Sequence, residues 1–196
     1  IGTKPLSSSR DNAYPQAQRI LLACLVIVGM GFSVLFPLLA PIGREMGLSE
    51  IQITSIIGCS ALTVFIASPI WGRISDRWGR KKVLLTGLFG FSVGTFGFNW
   101  VLSLGLNGQL TGSSLFLALL FTRILHAAVM SATMPAATAY MADITTTATR
   151  TKGMGATGAA NNLGSILGPA ISGLAVFSLL LPLWLMAIIA FFNGLF

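Results

Sequence analysis

A chain of 196 residues that is 54% hydrophobic, has a mean hydropathy of +0.83 and carries charge on only 9% of its positions is too apolar for an ordinary soluble domain. Its 13 phenylalanines and 4 tryptophans exclude a disordered chain. The formal charge of +7 would suit nucleic acid, but the basic residues form no stripe along a soluble face, so the expected partner is the lipid bilayer and not nucleic acid.

The first eighteen residues are polar and hold no apolar run of the signal-peptide kind, which predicts an N-terminal tail over 1–18 and a transmembrane bundle over 19–196. Runs near the roughly 20 apolar residues needed to cross a bilayer fall at about 19–41, 50–71, 83–105, 113–140, 153–177 and 181–196. The fold expected is therefore all-α and polytopic, with six membrane helices. The chain starts at Ile1 without an initiating methionine, and its last run stops after 16 residues at Phe196, so the reading is of a piece of a longer protein with an incomplete last helix.

The first run contains no acid. Its Met30, Phe32 and Phe36, with Met130 and Met134 of the fourth, offer a soft apolar surface that suits either hydrophobic cargo or lipid. Cys24 and Cys59 fall inside runs and read as small buried hydrophobes, not as a disulfide or metal pair. Between the second and third runs lies Gly72-Arg-Ile-Ser-Asp-Arg-Trp-Gly-Arg-Lys-Lys82, expected as a short charged loop at the membrane surface, with Gly72 and Gly79 permitting a tight reversal. Five cations there are ordinary membrane anchors, but Asp76 among them is expected to pair with a cation or to sit at a helix N-terminus.

In the fourth run Arg123 lies about ten residues in, roughly 15 Å along a helix, too deep to snorkel easily. Such a residue faces a cavity with a partner or bonds a carbonyl of a neighbouring helix. His126, three positions on, shares its face; it is either a neutral imidazole that bonds substrate or relays a proton, or a plain packed histidine. Pro37 and Pro135 stand toward the exits of the first and fourth runs, as in bent helices that frame a cavity.

The fifth run repeats small residues at every fourth position, Ala156, Ala160, Gly164, Gly168 and Ser172, a stripe that lets helix backbones approach closely in lipid. Pro169 adds a missing hydrogen bond. Asn99, Asn161, Asn162 and Ser165 lie within runs and either line a cavity or bond between helices, the second being the expectation. Gly153-x-Gly155-x-x-Gly158 matches the dinucleotide fingerprint by letters alone, since no strand precedes it and no acid follows about 20 residues on.

Loop charges set the orientation. With a cytoplasmic N-terminus, ten basic residues lie on that side (Lys4, Arg10, Arg19, Arg73, Arg77, Arg80, Lys81, Lys82, Arg150 and Lys152) against Arg44 opposite, while Arg123 is intramembrane.

Gly72-x-x-x-Asp76-Arg77-x-Gly79-Arg80-Lys81 resembles the signature loop between the second and third helices of the major facilitator superfamily. Gly164-x-x-x-Gly168-Pro169-x-x-Ser172-Gly173 is similar to the glycine-proline signature of that superfamily's drug:proton antiporter branch, with Ser172 where the branch usually has a glycine. Arg123, followed by Asp143 and Arg150, is a looser match, and Ala127 stands where the family usually has glycine. The resemblance implies the N-terminal half of a transporter, six helices built as two inverted three-helix repeats. It implies that Asp76 meets a helix of the missing C-terminal half, that Arg80 pairs with Asp143 as a conformational latch, and that the fifth helix pivots on that other half.

The function these readings imply is proton-coupled efflux of a small amphipathic compound across the bacterial plasma membrane. The alternatives are an importer of a sugar or organic acid, and a transport-inactive sensor or scaffold with the same fold. All five acids lie in a terminus, a loop or a helix end, so the proton-coupling acid is expected in the missing half unless Arg123 and His126 serve. One histidine with no acid nearby builds neither a triad nor a zinc site; neither enzymatic activity nor a metal or cofactor is expected.

Overall fold

The computed structural model describes residues 8–173 and, beyond them, positions 180–182, 184, 185, 188 and 189; the expected sixth run and the end of the fifth fall largely outside these. The described chain is helical, without a strand: α1 (Ser8–Glu45), α2 (Glu50–Trp78), α3 (Arg80–Leu106), α4 (Gly112–Met130), α5 (Thr133–Ile144) and α6 (Arg150–Ser172). Among them α1 from Gln16, α2, α3 and the joined stretch Gly112–Ile144 are long and apolar enough to cross a membrane. α6 occupies the place of the fifth run without being among these four, because glycine, alanine, threonine and asparagine fill much of it. α1 starts at Ser8, so part of the expected tail is helical.

Counting α4 and α5 as one broken span, successive membrane helices alternate in direction. The α1–α2 turn meets the far ends of α3 and α4, where a Cβ on Gly105 would lie 2.5 Å from Met46 Sδ and 2.8 Å from Leu115 Cδ1. At the opposite end Arg80, opening α3, reaches Asp143 near the end of α5. Gly47 takes φ of 76° in the first turn, and Ser49 then caps α2 reciprocally, with its hydroxyl accepting from Gln52 N at 3.3 Å while Gln52 Oε1 accepts from Ser49 N at 2.9 Å.

The stretch from Gly72 to Lys82 is not a loop. α2 continues to Trp78 and α3 begins at Arg80, so Gly79 alone turns the chain, with φ of 97° that only glycine adopts without strain. Polar residues continue the helix because its end projects beyond the apolar layer, where side chains are solvated; Gly79 N closes it on Ser75 O at 3.2 Å. Gly72 lies inside α2 and makes no turn.

The expected fourth run is broken at Ser131 and Ala132. Pro135 lacks the N–H that would bond Ser131 O, and its ring crowds that carbonyl. The carbonyl of Ala128 is diverted to Ser131 Oγ at 2.7 Å and to the indole Nε1–H of Trp71 at 2.6 Å, which ties α2 to the break.

Two apolar clusters fill the bundle. One, built from residues such as Leu39, Ile42, Ile56, Leu102 and Leu119, lies toward the α1–α2 turn. The other, with Leu25, Val83, Leu88, Ala136 and Met141, lies toward the Gly79 turn. Between them, with Phe91, Met130 and Phe32, sits a belt of buried polar side chains: Thr95, Asn99, Arg123 and His126.

Candidate substrate cavity and charged helix junction

Arg123 on α4 is 4% exposed, and no carboxylate pairs with it among the described residues. Its Nη1 donates to Nδ1 of His126 at 2.9 Å. A guanidinium has no acceptor, so Nδ1 must be the bare nitrogen and the ring proton sits on Nε2. Nε2 in turn faces Thr95 Oγ1 at 3.4 Å, and that hydroxyl donates to Phe91 O at 2.7 Å. The chain of donors therefore runs one way, from Arg123 through His126 and Thr95 to a carbonyl of α3. Among the described residues no carbonyl of a neighbouring helix receives Arg123; instead the guanidinium carbon stands 5.9 Å from the ring centre of Phe32 and 5.8 Å from that of Phe98.

α3 makes room for this arrangement with a row of glycines. A Cβ on Gly87 would fall 2.9 Å from Thr133 N, one on Gly90 2.9 Å from Val129 Cβ, and one on Gly94 2.6 Å from Cδ2 and 2.9 Å from Cβ of His126. The His126 ring also tilts at 50° against Phe91 with ring centres 5.3 Å apart. Gly94, Thr95 and Trp71 are the neighbours of these residues and of the α4–α5 break that reading the sequence missed.

Two cavities flank Phe32. On the side of the α1–α2 turn, about 40 Å³ is enclosed by Phe32, Leu35, Phe36, Leu39, Ile57, Ser60, Ala61 and Arg123. On the other side, about 170 Å³ is bounded by Val28, Gly29, Phe32, Val64, Ser68, Met130, Ser131, Thr133, Met134, Asn161 and Ser165. Antiparallel α1 and α2 contribute to both in opposite residue order, which places Phe32 at the level between them.

The polar residues of the spans mostly do not join helices. Ser165 Oγ donates to Asn161 O of its own helix at 3.1 Å, and Asn99 is fully buried with neither amide atom hydrogen-bonded. Asn161 lines the larger cavity, while Asn162 is exposed.

The stripe of α6 is spent on α1. A Cβ on Gly164 would strike Val26 O and lie 2.8 Å from Met30 N; one on Gly168 would strike Ser33 Oγ and lie 2.6 Å from Met30 O. In return Gly29 of α1 abuts Asn161 O. Pro169 and Gly173 are exposed, on positions that the stripe does not use.

At the Gly79 turn Arg80 holds both acids. Nη1 pairs with Asp76 one turn back, and Nε donates to Asp143 Oδ2 at 3.2 Å. The side chains of Asp76 and Asp143 are 62% and 56% exposed, so each bond is individually weak, about 0 to 1 kcal/mol. Arg77 and Lys81 are exposed. Across the molecule Arg44 Nε pairs with Glu50 at 2.7 Å, spanning the α1–α2 turn.

Antiparallel apolar helices, ion pairs confined to helix junctions and a polar belt at mid-depth define a multi-pass α-helical membrane protein. The family model described as Major Facilitator Superfamily matches residues 21–196, and the chain belongs to that superfamily. It is 37% identical over 155 residues to multidrug resistance protein 1 of Bacillus subtilis, covering 79% of this chain and 36% of that protein. It is 35% identical over 172 residues to multidrug resistance protein 2 of the same organism, covering 87% and 40%. With quinolone resistance protein NorA of Staphylococcus aureus it shares 29% identity over 154 residues, covering 79% and 37%. The chain thus spans well under half the length of these curated relatives.

Proposed function

We propose that the chain is the N-terminal half of a secondary transporter that exports small amphipathic compounds by alternating access, driven by protons. The observation that carries this reading is the buried guanidinium at mid-depth, bonded to His126 and lining the smaller of two cavities that meet at Phe32. Resistance named in three relatives supports the direction and the class of cargo.

In this reading the membrane helices form two inverted three-helix repeats behind a cytoplasmic N-terminal tail, and the C-terminal half faces them across the cavities. Arg80, with Asp76 and Asp143, is the latch: weak exposed pairs suit a contact that breaks once per cycle. Arg77, Gly79 and Lys81 shape that junction, with Gly72 further back inside α2, while Gly164 and Gly168 set the packing of α6 and Pro169 and Gly173 stand on its exposed face. Because Gly164 and Gly168 are seated on α1, any pivot on the C-terminal half uses the opposite face of α6. Arg123 and His126 line the route of substrate or proton, Asn161 and Asn162 contribute polar wall, and the acid that carries the proton lies in the C-terminal half.

Two measurements test this. Cells expressing the full-length gene should accumulate less of a fluorescent drug, and a protonophore should abolish the difference. Asp76→Asn should remove export while leaving membrane insertion intact. Unchanged accumulation, or full export by Asp76→Asn, would contradict the exporter and the latch respectively.

A further inference from the structure

The smaller cavity has a composition that selects by charge. Its walls are aromatic and aliphatic, from Phe32, Phe36, Ile57 and Ala61, and its polar groups are Ser60, whose hydroxyl is already given to Ile56 O at 2.6 Å, and Arg123. One of the five N–H donors of Arg123 is used on His126, and no other hydrogen bond to the guanidinium is formed among the described residues. A buried cation with idle donors, facing an apolar cavity and lacking a carboxylate, is strongly destabilised unless an anion reaches it.

We propose that this cavity is a subsite for the carboxylate head of an amphipathic aromatic acid, with Arg123 as the residue that selects it. The enclosed space of about 40 Å³ admits a planar carboxylate and excludes a drug-sized body, so the ring of the ligand rests against Phe36 and Ile57. Charge points the same way. One guanidinium balances one monoanion, whereas a phosphate ester would bring more charge than the site can match, and a cation would meet Arg123 unscreened. Phe32, packed at 78° on Phe36 with ring centres 5.2 Å apart, lines both cavities, so a ligand passing between the two meets that ring.

This deepens the transporter reading and is tested apart from it, by equilibrium binding of naphthoate and of its neutral isostere naphthamide to the purified full-length protein in nanodiscs at neutral pH. Naphthoate should bind at least about tenfold more tightly than naphthamide, the effect of one charge-assisted hydrogen bond. Arg123→Gln should erase the preference by lowering naphthoate affinity to that of naphthamide in the same variant, and Arg123→Lys should retain part of it. Equal affinities in the unaltered protein would overturn the subsite without recourse to any variant; that is also the result expected if an acid of the C-terminal half already occupies Arg123. A preference that survives Arg123→Gln would overturn it as well. Naphthoate preference in a protein that exports no drug would sustain the subsite and count against the exporter, while drug export with no preference would do the reverse.

Discussion

Replacing Gly164 by alanine should loosen the contact between α1 and α6 where a glycine of α6 lies closest to the backbone of α1. The added methyl would strike the carbonyl oxygen of Val26 and stand 2.8 Å from Met30 N, about 0.6 Å short of an ordinary 3.4 Å contact, and both obstacles are backbone. Backbone cannot rotate aside, so the helices must part. A gap of roughly 0.5 to 1 Å forfeits about a quarter to a half of each atom pair's attraction of ~0.1 to 0.2 kcal/mol. Over some tens of pairs this amounts to about 1 to 3 kcal/mol, the usual cost of overpacking. Reversible unfolding of the full-length protein in mixed micelles reads that loss directly. Gly97→Ala serves as the control, because its Cβ meets nothing within 4 Å, and it should be neutral or slightly stabilising. Equal stability of the Gly164→Ala and Gly97→Ala proteins would refute the packing argument.

Two further outcomes follow from named contacts. Trp71→Phe keeps the ring but removes the bond to Ala128 O; because Ser131 Oγ still satisfies that carbonyl, the loss should be about 1 kcal/mol in the same unfolding assay, and a loss several times larger would mean that the indole holds the α4–α5 break by packing and not by its N–H. Gly94→Ala drives a methyl into the Cβ and ring of His126, so it should separate Nδ1 from Arg123 and weaken naphthoate binding more than Thr95→Ala does; equal effects would show that the ring position does not matter.

Membrane residence was legible from composition, and the approximate positions of the first four spans from the apolar runs, because lipid demands long apolar helices and little else satisfies buried backbone. The same reasoning ended α2 too early. Apolar length reports where the hydrocarbon layer stops, and the helix of Arg73 to Trp78 runs past it. Pro135 was noticed as a bend, yet the break at Ser131 and Ala132 also needs Trp71, 57 positions away from Ala128 in the chain, which no local pattern announces. The glycine row of α3 was within reach: Gly87, Gly90 and Gly94 are spaced three and four apart, the same logic that singled out Gly164 and Gly168 in α6. Arg123 and His126 were recognisable as neighbours on one face; their bond, its direction and the hydroxyl of Thr95 at its end depend on how α3 and α4 meet.

The spacing of Arg123 and His126 also bears on how the protein is made. An isolated arginine at mid-membrane costs about 2.5 to 3.5 kcal/mol to insert. Here its hydrogen-bond acceptor lies three residues away on the same helix, so the guanidinium enters lipid with one partner already supplied. α3, which precedes it in the chain, carries Phe98 and Thr95 into the bilayer before α4 arrives. The order of synthesis therefore delivers the surroundings of the buried charge ahead of the charge itself, and nascent α4 has a docking site on α3 before α6 is made.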